Sequence, residues 1–329
     1  MARPTPLLAA LILWVAAPLH AACTGVDLID ALPAADRAAV EAEAARQPFA
    51  AGNFWRVTRG DEQAVVVGTY HLNDPRHDAS VARLRPIIES AQTLLVEASP
   101  AEEARLKEAM AKDPSLMLSD GPTLPERLTE DEWRMLSDAL RARGIPPFMA
   151  AKFAPWYVSM TIAIPPCAMA EAQNPDGLDR RAMRVAEAAG VPIAALEPWD
   201  TVFGLFADLG EDEQLAMIRT ALPLEDRVAD LAVTLSGRYF TGESRKVWEY
   251  MRLESHDMPG YTPESADAEF ARMEETLILG RNRAWVPVIE TALARGPAVV
   301  AVGALHLPGQ DGVLALLERR GFRVEPLTP

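Results

Sequence analysis

The sequence predicts an α/β (α+β) fold: a mixed, largely parallel central sheet formed from both ends of the chain, with two β-α-β halves and a large helical insertion. Two observations predict it. First, the stretch VVVGTYHL, Val65 to Leu72, returns as VAVGALHL, Val300 to Leu307, and both copies open on a continuous apolar run, the signature of a parallel strand buried on both faces. Second, each copy is followed by a turn-rich loop, an amphipathic segment and another apolar run, which is the order of a β-α-β unit.

The elements follow in order. The first 22 residues carry Arg3 as their only charge, an apolar run from Leu7 to Ala17, and small residues at Ala21 and Ala22. That is the layout of a secretory signal peptide. The run is well short of the roughly 20 apolar residues of a spanning helix, and no later segment reaches that length uncharged. An exported protein, periplasmic or secreted, with no transmembrane segment is therefore expected. Cys23 follows the cleavage point, and Cys167 is the only other cysteine. Three fates are open: lipid on Cys23, which His20 three positions earlier disfavours; a Cys23–Cys167 disulfide, suited to an oxidising compartment; or two free thiols.

A helix is expected over Ala34–Arg46. Val65–Val67 is the first strand, ended by Gly68, and LNDPRHD is its loop. Val81, Leu84, Ile87 and Ile88 give helical spacing over Ser80–Ala91, and TLLVEAS is the next strand. The helical insertion, roughly 100–295, begins with a helix over Glu102–Lys112. Thr129 and Glu132 form a capping box ahead of Trp133, Leu136 and Leu140, with Gly144 at the far end. Phe148–Ile164 reads as a buried helix interrupted by Pro155. Asp179–Ala189 is a helix ended by Gly190, and PIAAL, Pro192 to Leu196, is a buried strand closing at Glu197. Helices over Glu211–Leu235 and Asp267–Leu293 follow, the second bent or broken at Gly280 and Pro287. The second half then runs as strand AVVAVG, loop LPGQDG, helix Val313–Arg320 stopped by Gly321, and strand FRVEPL.

Formal net charge is −15, and removal of Arg3 with the leader makes it −16. An acidic surface repels phosphate backbones and anionic membranes, so nucleic acid is not an expected partner. Ligands of open α/β sheets bind beyond the carboxyl ends of the strands. His71 and His306 each lie three residues past a strand-ending glycine, so on neighbouring strands their imidazoles converge. Two neutral imidazoles with one or two carboxylates suit a first-row divalent ion. Glu97 is the best-placed carboxylate, Glu197 the second as general base or further ligand, and Glu325 the last. Such an ion lowers the pKa of water, which is hydrolase chemistry.

Each of these residues also has a bland reading. A strand-end histidine is often only a hydrogen-bonded capping residue, and the duplication is what raises the pair above that. His77 and His256 are expected at the surface, His77 near enough to His71 to serve as a reserve ligand. Arg281 and Asn282, in RNRAW, are either site residues that bind a carbonyl or carboxylate or an exposed, salt-bridged stretch. Asp179 is most simply a helix N-cap, Asp74 a turn residue, and Trp156 and Trp199 core or cleft lining. No GxSxG, Walker loop, dinucleotide fingerprint or nucleophilic Cys/His arrangement is present.

GTYHLNDPR, VEAS, GLD, ALEP, RNRAW and VGALHLPGQDGVLALLERRGFRV together resemble the TraB/GumN family over nearly the whole chain after the leader. The resemblance implies one TraB/GumN-type domain over 23–329 and a fold shared with erythromycin esterase-like hydrolases and a haem-associated group. It implies a site built on His71, His306 and Glu97, supported by Glu197, Arg281 and Asn282. Because the family includes Tiki-type metal-dependent peptidases, the expected activity is that of a peptidase or amidase using manganese, cobalt or zinc on a peptide or other small polar substrate. The alternative is a non-catalytic cell-envelope protein holding metal, haem or a saccharide during polysaccharide production or export. Tyr70 stands where the family's GTxH usually has Ile or Val, and Leu305 takes that place in the second copy; neither is a ligand position. Nothing in the sequence specifies an oligomeric state.

Overall fold

The computed structural model describes residues 23–327 except positions 208 and 259; the expected leader and His20 lie outside the described residues. Six strands form one sheet: β1 Phe54–Arg59, β2 Glu62–Thr69, β3 Thr93–Val96, β4 Ile193–Ala195, β5 Ala298–Gly303 and β6 Arg323–Pro326. Their order across the sheet is β4-β3-β5-β2-β1-β6. The pairs β4-β3, β3-β5 and β5-β2 are parallel, whereas β1 runs antiparallel to both β2 and β6. The sheet is thus mixed and mostly parallel, and the two copies of the repeat are hydrogen-bonded neighbours at its centre.

Alternation along the central strands divides the core in two. Val66, Val300 and Val302 pack on one face with Trp285, Ile289, Leu314 and Leu317. These come from the helices Gly280–Leu293 and Val313–Arg319. Val67, Val299 and Ala301 pack on the other face with Leu84, Ile88, Ala182 and Ala186, from the helices His77–Glu89 and Leu178–Ala189. Each fully buried valine or leucine contributes about 1.5–3 kcal/mol. A charged residue at Val300, which is 0% exposed, would have no partner on either face.

Part of the insertion makes its own apolar cluster, where Leu136, Leu140, Val158, Ile162, Leu215 and Ile218 meet. The expected Phe148–Ile164 helix is two short ones, Pro147–Ala150 and Pro155–Ile162; Pro155 opens the second, where its missing N–H costs no helical hydrogen bond. The expected helix over Glu211–Leu235 is interrupted by a 3-10 turn at Leu222–Arg227, where Pro223 stands. No break occurs at Gly280 or at Pro287: a π-helical turn, Glu275–Leu279, leads directly into the helix Gly280–Leu293, which carries Pro287 inside it. The helix Ser244–Glu254 and strand β1 were not anticipated. Cys23 and Cys167, 144 residues apart, form a disulfide with Cα atoms 5.2 Å apart. No helix among the described residues is long and apolar enough to cross a membrane.

His77 is not at the surface. It is 0% exposed, with Tyr70, Tyr239 and Phe240 rings around it and Nε2 3.1 Å from the Leu72 carbonyl oxygen. The turn-rich LNDPRHD pattern suggested a surface loop, but the ring folds inward to seal it. His256 is also not free at the surface: its Nε2 lies 2.8 Å from Asp267 Oδ1.

Candidate functional site

Strand register places the site. Along the parallel β2–β5 pair, Gly68 lies opposite Val302, and Thr69 opposite Gly303, so the two copies of the repeat are offset by one residue. Their histidines are consequently not equivalent. His71 lies two residues past the end of β2, outside any helix or strand, and its side chain is 58% exposed. His306 ends a 3-10 turn, Ala304–His306, and is buried.

The two repeat glycines differ in the same way. A Cβ at Gly68 would stand 2.9 Å from Leu307 Cδ1 and 3.0 Å from Ala304 Cα, so that glycine admits the second copy's turn. A Cβ at Gly303 would stand 3.3 Å from Glu97 Oε1, 3.5 Å from His306 Cδ2 and 3.8 Å from His71 Nε2. The ends of β2, β3 and β5 therefore aim three side chains at one point.

Both imidazoles are held from behind. His306 Nδ1 lies 2.7 Å from Asn282 Oδ1, while Asn282 Nδ2 donates to the carbonyl oxygens of His306 (3.3 Å) and Asp311 (2.9 Å). Carbonyls only accept, so the amide nitrogen must face them, Oδ1 must face the ring, and the proton of His306 sits on Nδ1. Its Nε2 lone pair is left for the site. For His71 the equivalent partner is Asp179, whose Oδ2 is 3.3 Å from Nδ1. Asp179 is in the first turn of its helix; the N-cap is Gly177. A Cβ at Gly177 would overlap Tyr70 O and the His71 backbone, and Leu178 N–H donates to Tyr70 O at 3.0 Å. GLD is thus a docking element that delivers Asp179 to His71, a role that its cap-like sequence did not reveal.

Arg281 joins the carboxylates. Its Nη2 donates to Glu97 Oε2 at 2.7 Å and Glu197 Oε1 at 2.6 Å, and its Nε to Glu197 Oε2 at 2.9 Å. Its Nη1 donates to Leu277 O at 3.1 Å and lies 3.3 Å from His306 Nε2. Glu97 Oε1 accepts the Gly303 N–H at 2.6 Å, and Trp285 Nε1, in the core, donates to Glu197 Oε2 at 2.9 Å. Arg281 and Asn282 therefore belong to the same hydrogen-bonded cluster as the candidate residues, not to an exposed salt-bridged stretch. Glu325 is outside the cluster: it lies on β6 at the sheet edge, opposite Arg56 and paired with Arg323.

These contacts set the charges. Burial alone would raise the Glu97 pKa, but His306, His71, Arg281 and the Gly303 N–H outweigh it and bring it down to about 2. Burial, with Arg281 and His71 adding to it against the pull of Glu97, lowers His306 to about 4, so its ring is neutral at pH 7. At His71, desolvation by the cleft walls is overcome by the hydrogen bond and charge of Asp179, with help from Glu97, and the ring is raised to about 9. Beside these residues lies a cavity of about 250 Å³ lined by Thr69, His71, Glu97, Asp179 and Arg180 among others. Thr69 Oγ1 and Asp179 Oδ1 are buried without a hydrogen-bond partner, a deficit of polar contacts that water or a polar ligand would satisfy.

The model of the TraB/PrgY/gumN family matches residues 53–326. The chain belongs to the TraB/PrgY/gumN family. The matched span takes in all six strands and every candidate residue of the site. Among similar family relatives are the proteins designated Uncharacterized protein YbaP of Shigella flexneri and of Escherichia coli (strain K12). Each is 24% identical over 260 residues, which is 78% of this chain and 89% of the relative. No solved structure matches the chain.

As a metal centre the donor set fits in kind, with two imidazoles anchored through Nδ1, as metal-ligating histidines usually are, and one carboxylate; His71, raised to about 9 and so cationic at pH 7, would have to give up its Nε2 proton to an ion. The spacing is looser than coordination. Glu97 Oε1 and His306 Nε2 are 4.0 Å apart, whereas two ligands of one tetrahedral ion lie about 3.4 Å from each other. Among the described residues no group of three or more His, Cys, Asp or Glu is gathered closely enough to hold an ion.

Proposed function

We propose that this protein is an exported metal-dependent hydrolase acting on amide bonds, a peptidase or amidase, with a divalent ion held by His71, His306 and Glu97. The observation that carries this reading is the convergence of those three side chains on the Gly303 Cβ position, with both rings anchored from behind. An ion on His306 Nε2 would take the lone pair that now faces Arg281 Nη1 at 3.3 Å, the longest contact of the Arg281 set. The disulfide supports export, since such bonds persist in oxidising compartments.

The ion would supply Lewis acidity toward a carbonyl oxygen and toward water. Asn282 and Asp179 orient the two rings. Glu97, ionised throughout the neutral range, is an acceptor and not an acid. Glu197 has both oxygens engaged by Arg281 and Trp285, so we assign it to holding Arg281 rather than to moving a proton. Were an ion to occupy His306 Nε2, the Arg281 Nη1 N–H that now faces it at 3.3 Å would be available to donate to a carbonyl oxygen bearing developing negative charge, the task of an oxyanion donor.

The test is metal content by elemental mass spectrometry, on protein purified without chelator or His tag, beside His71→Ala and His306→Ala. Near-stoichiometric manganese, cobalt or zinc in the wild type, lost in both variants, together with chelator-sensitive peptide cleavage, is the expected result. A metal content that both substitutions leave unchanged refutes the site. Bound metal with no turnover on a peptide library would favour a binding protein of the cell envelope.

A further inference from the structure

A second cavity, of about 300 Å³, adjoins the first. Ala98 and Glu103 line both, and Glu197 lines the second, so the two share a wall along the segment that follows Glu97. Its walls differ sharply from those of the first. Trp156, Trp199 and Phe203 form an aromatic side, with Phe203 meeting the two indoles at centroid distances of 5.5 and 6.0 Å. Leu106, Met110 and Met160 are among the aliphatic residues facing the same space.

The charged groups at its rim are already engaged. Glu102 pairs with Arg105 at 2.7 Å and accepts the Trp199 N–H at 3.0 Å. Glu103 pairs with Arg180 at 2.6 Å, and Glu197 with Arg281 at 2.6 Å. A cationic or anionic occupant would find no free counter-charge and would lose its hydration. An apolar one would cover rings and thioethers that are now only half-buried, and methionine walls adapt to its shape.

We propose that this cavity is the specificity subsite of the enzyme and takes a large uncharged apolar side chain, aromatic or long aliphatic, of the peptide substrate. The inference rests on the hydrolase reading of the adjoining centre. The volume suits one side chain, being at the lower end of the roughly 300–1,000 Å³ of whole-ligand pockets. The shared Ala98 and Glu103 wall puts a side chain bound in this cavity beside the one that His71 and Glu97 line, within reach of an adjoining amide.

The experiment reads binding apart from turnover. Capped tripeptides Ala-Xaa-Ala, with Xaa as Phe, Leu, Ala, Lys or Asp, are titrated by calorimetry into chelator-treated protein, and cleavage is assayed separately on metal-loaded protein. Phe and Leu should bind at least about 10-fold tighter than Ala, Lys or Asp, the discrimination an apolar pocket gives for missing methylenes. Leu106→Asp and Met110→Asp should abolish the preference; both sit on the helix Pro100–Lys112, which has no buried residue, so the core is untouched. Met110→Trp, which fills the space without charging it, should bring Phe down to the level of Ala. Equal binding of all five peptides, or a preference that survives all three substitutions, overturns the subsite. A preference without cleavage leaves the subsite standing and refutes the hydrolase reading alone.

Discussion

Substituting Gly303 by alanine separates the site from the fold. Its backbone, at φ −51° and ψ 138°, is one that any residue adopts, so a methyl group adds no torsional strain. Replacing glycine where alanine fits stabilises by about 0.4–1 kcal/mol through the unfolded chain. Against that, 3.3 Å from Glu97 Oε1 is a tight approach that calls for a few tenths of an ångström of movement. Glu97 gives reluctantly, since one oxygen accepts Gly303 N–H and the other Arg281. Overpacking a filled core costs about 1–3 kcal/mol, and the open cleft beside His71 puts this position at the low end. The two effects nearly cancel, leaving stability within about 1 kcal/mol of wild type. The methyl nevertheless occupies the point at which the candidate ligands meet, so metal affinity should fall by at least about 10-fold, the smallest effect typical of disturbing a metal's surroundings. Gly68→Ala is the control: its Cβ would meet Ala304 Cα at 3.0 Å, backbone that cannot swing aside, and should destabilise by about 1–3 kcal/mol. Urea unfolding and metal content measured on both variants test the argument. A Gly303→Ala protein that keeps full metal content, or unfolds more readily than Gly68→Ala, would refute it.

Three further outcomes are expected. In metal-free protein, Asp179→Asn should drop the NMR titration midpoint of His71 from about 9 to near or below its ordinary value of about 6.5; an unmoved midpoint would mean that Asp179 does not hold the ring. Cys167→Ser opens a loop of 144 residues, for which chain entropy gives about 5 kcal/mol and measured cases about 2–4; urea unfolding that shows no loss would mean the N-terminal segment is not anchored by the bond. The stability of the metal-free protein should be greatest near pH 6.5, about the ordinary histidine value. Below it, the unfolded chain takes up protons that folded His306 and Glu97 refuse, down to about 4 and about 2, so stability falls with acid. Above it, folded His71 holds its proton to about 9 while the unfolded chain releases it, so this group's contribution is lost through that window. Guanidinium unfolding, measured from acid to alkaline pH, that showed a steady rise in stability would contradict these assignments.

Much of the frame was legible because its signals are local. The runs Val65–Val67 and Ala298–Val302 are continuous and apolar, helical spacing is plain in Leu84 and Ile88, and a repeated glycine and histidine marks a repeated place in the sheet. Strand β1 escaped notice because its alternation is brief, only Trp55 and Val57 being buried, in alternation with Arg56 and Thr58; it pairs with β2 on one side and β6 on the other. The burial of His77 escaped because it depends on Tyr239 and Phe240, far along the chain.

The sequence by itself determined that both ends of the chain meet in one largely parallel sheet and that His71, His306 and Glu97 stand at strand ends on one edge. Periodicity and strand-ending glycines act over a few residues and survive in any environment. Tertiary structure decided the rest. The one-residue offset between β2 and β5 made one histidine exposed and the other buried, and turned one glycine into a packing contact and the other into the centre of the site. It also gave Asp179 to His71, Asn282 to His306, and Arg281 to two carboxylates. Those are contacts between residues 24 to 184 positions apart, fixed by register and helix docking, and no local pattern encodes them.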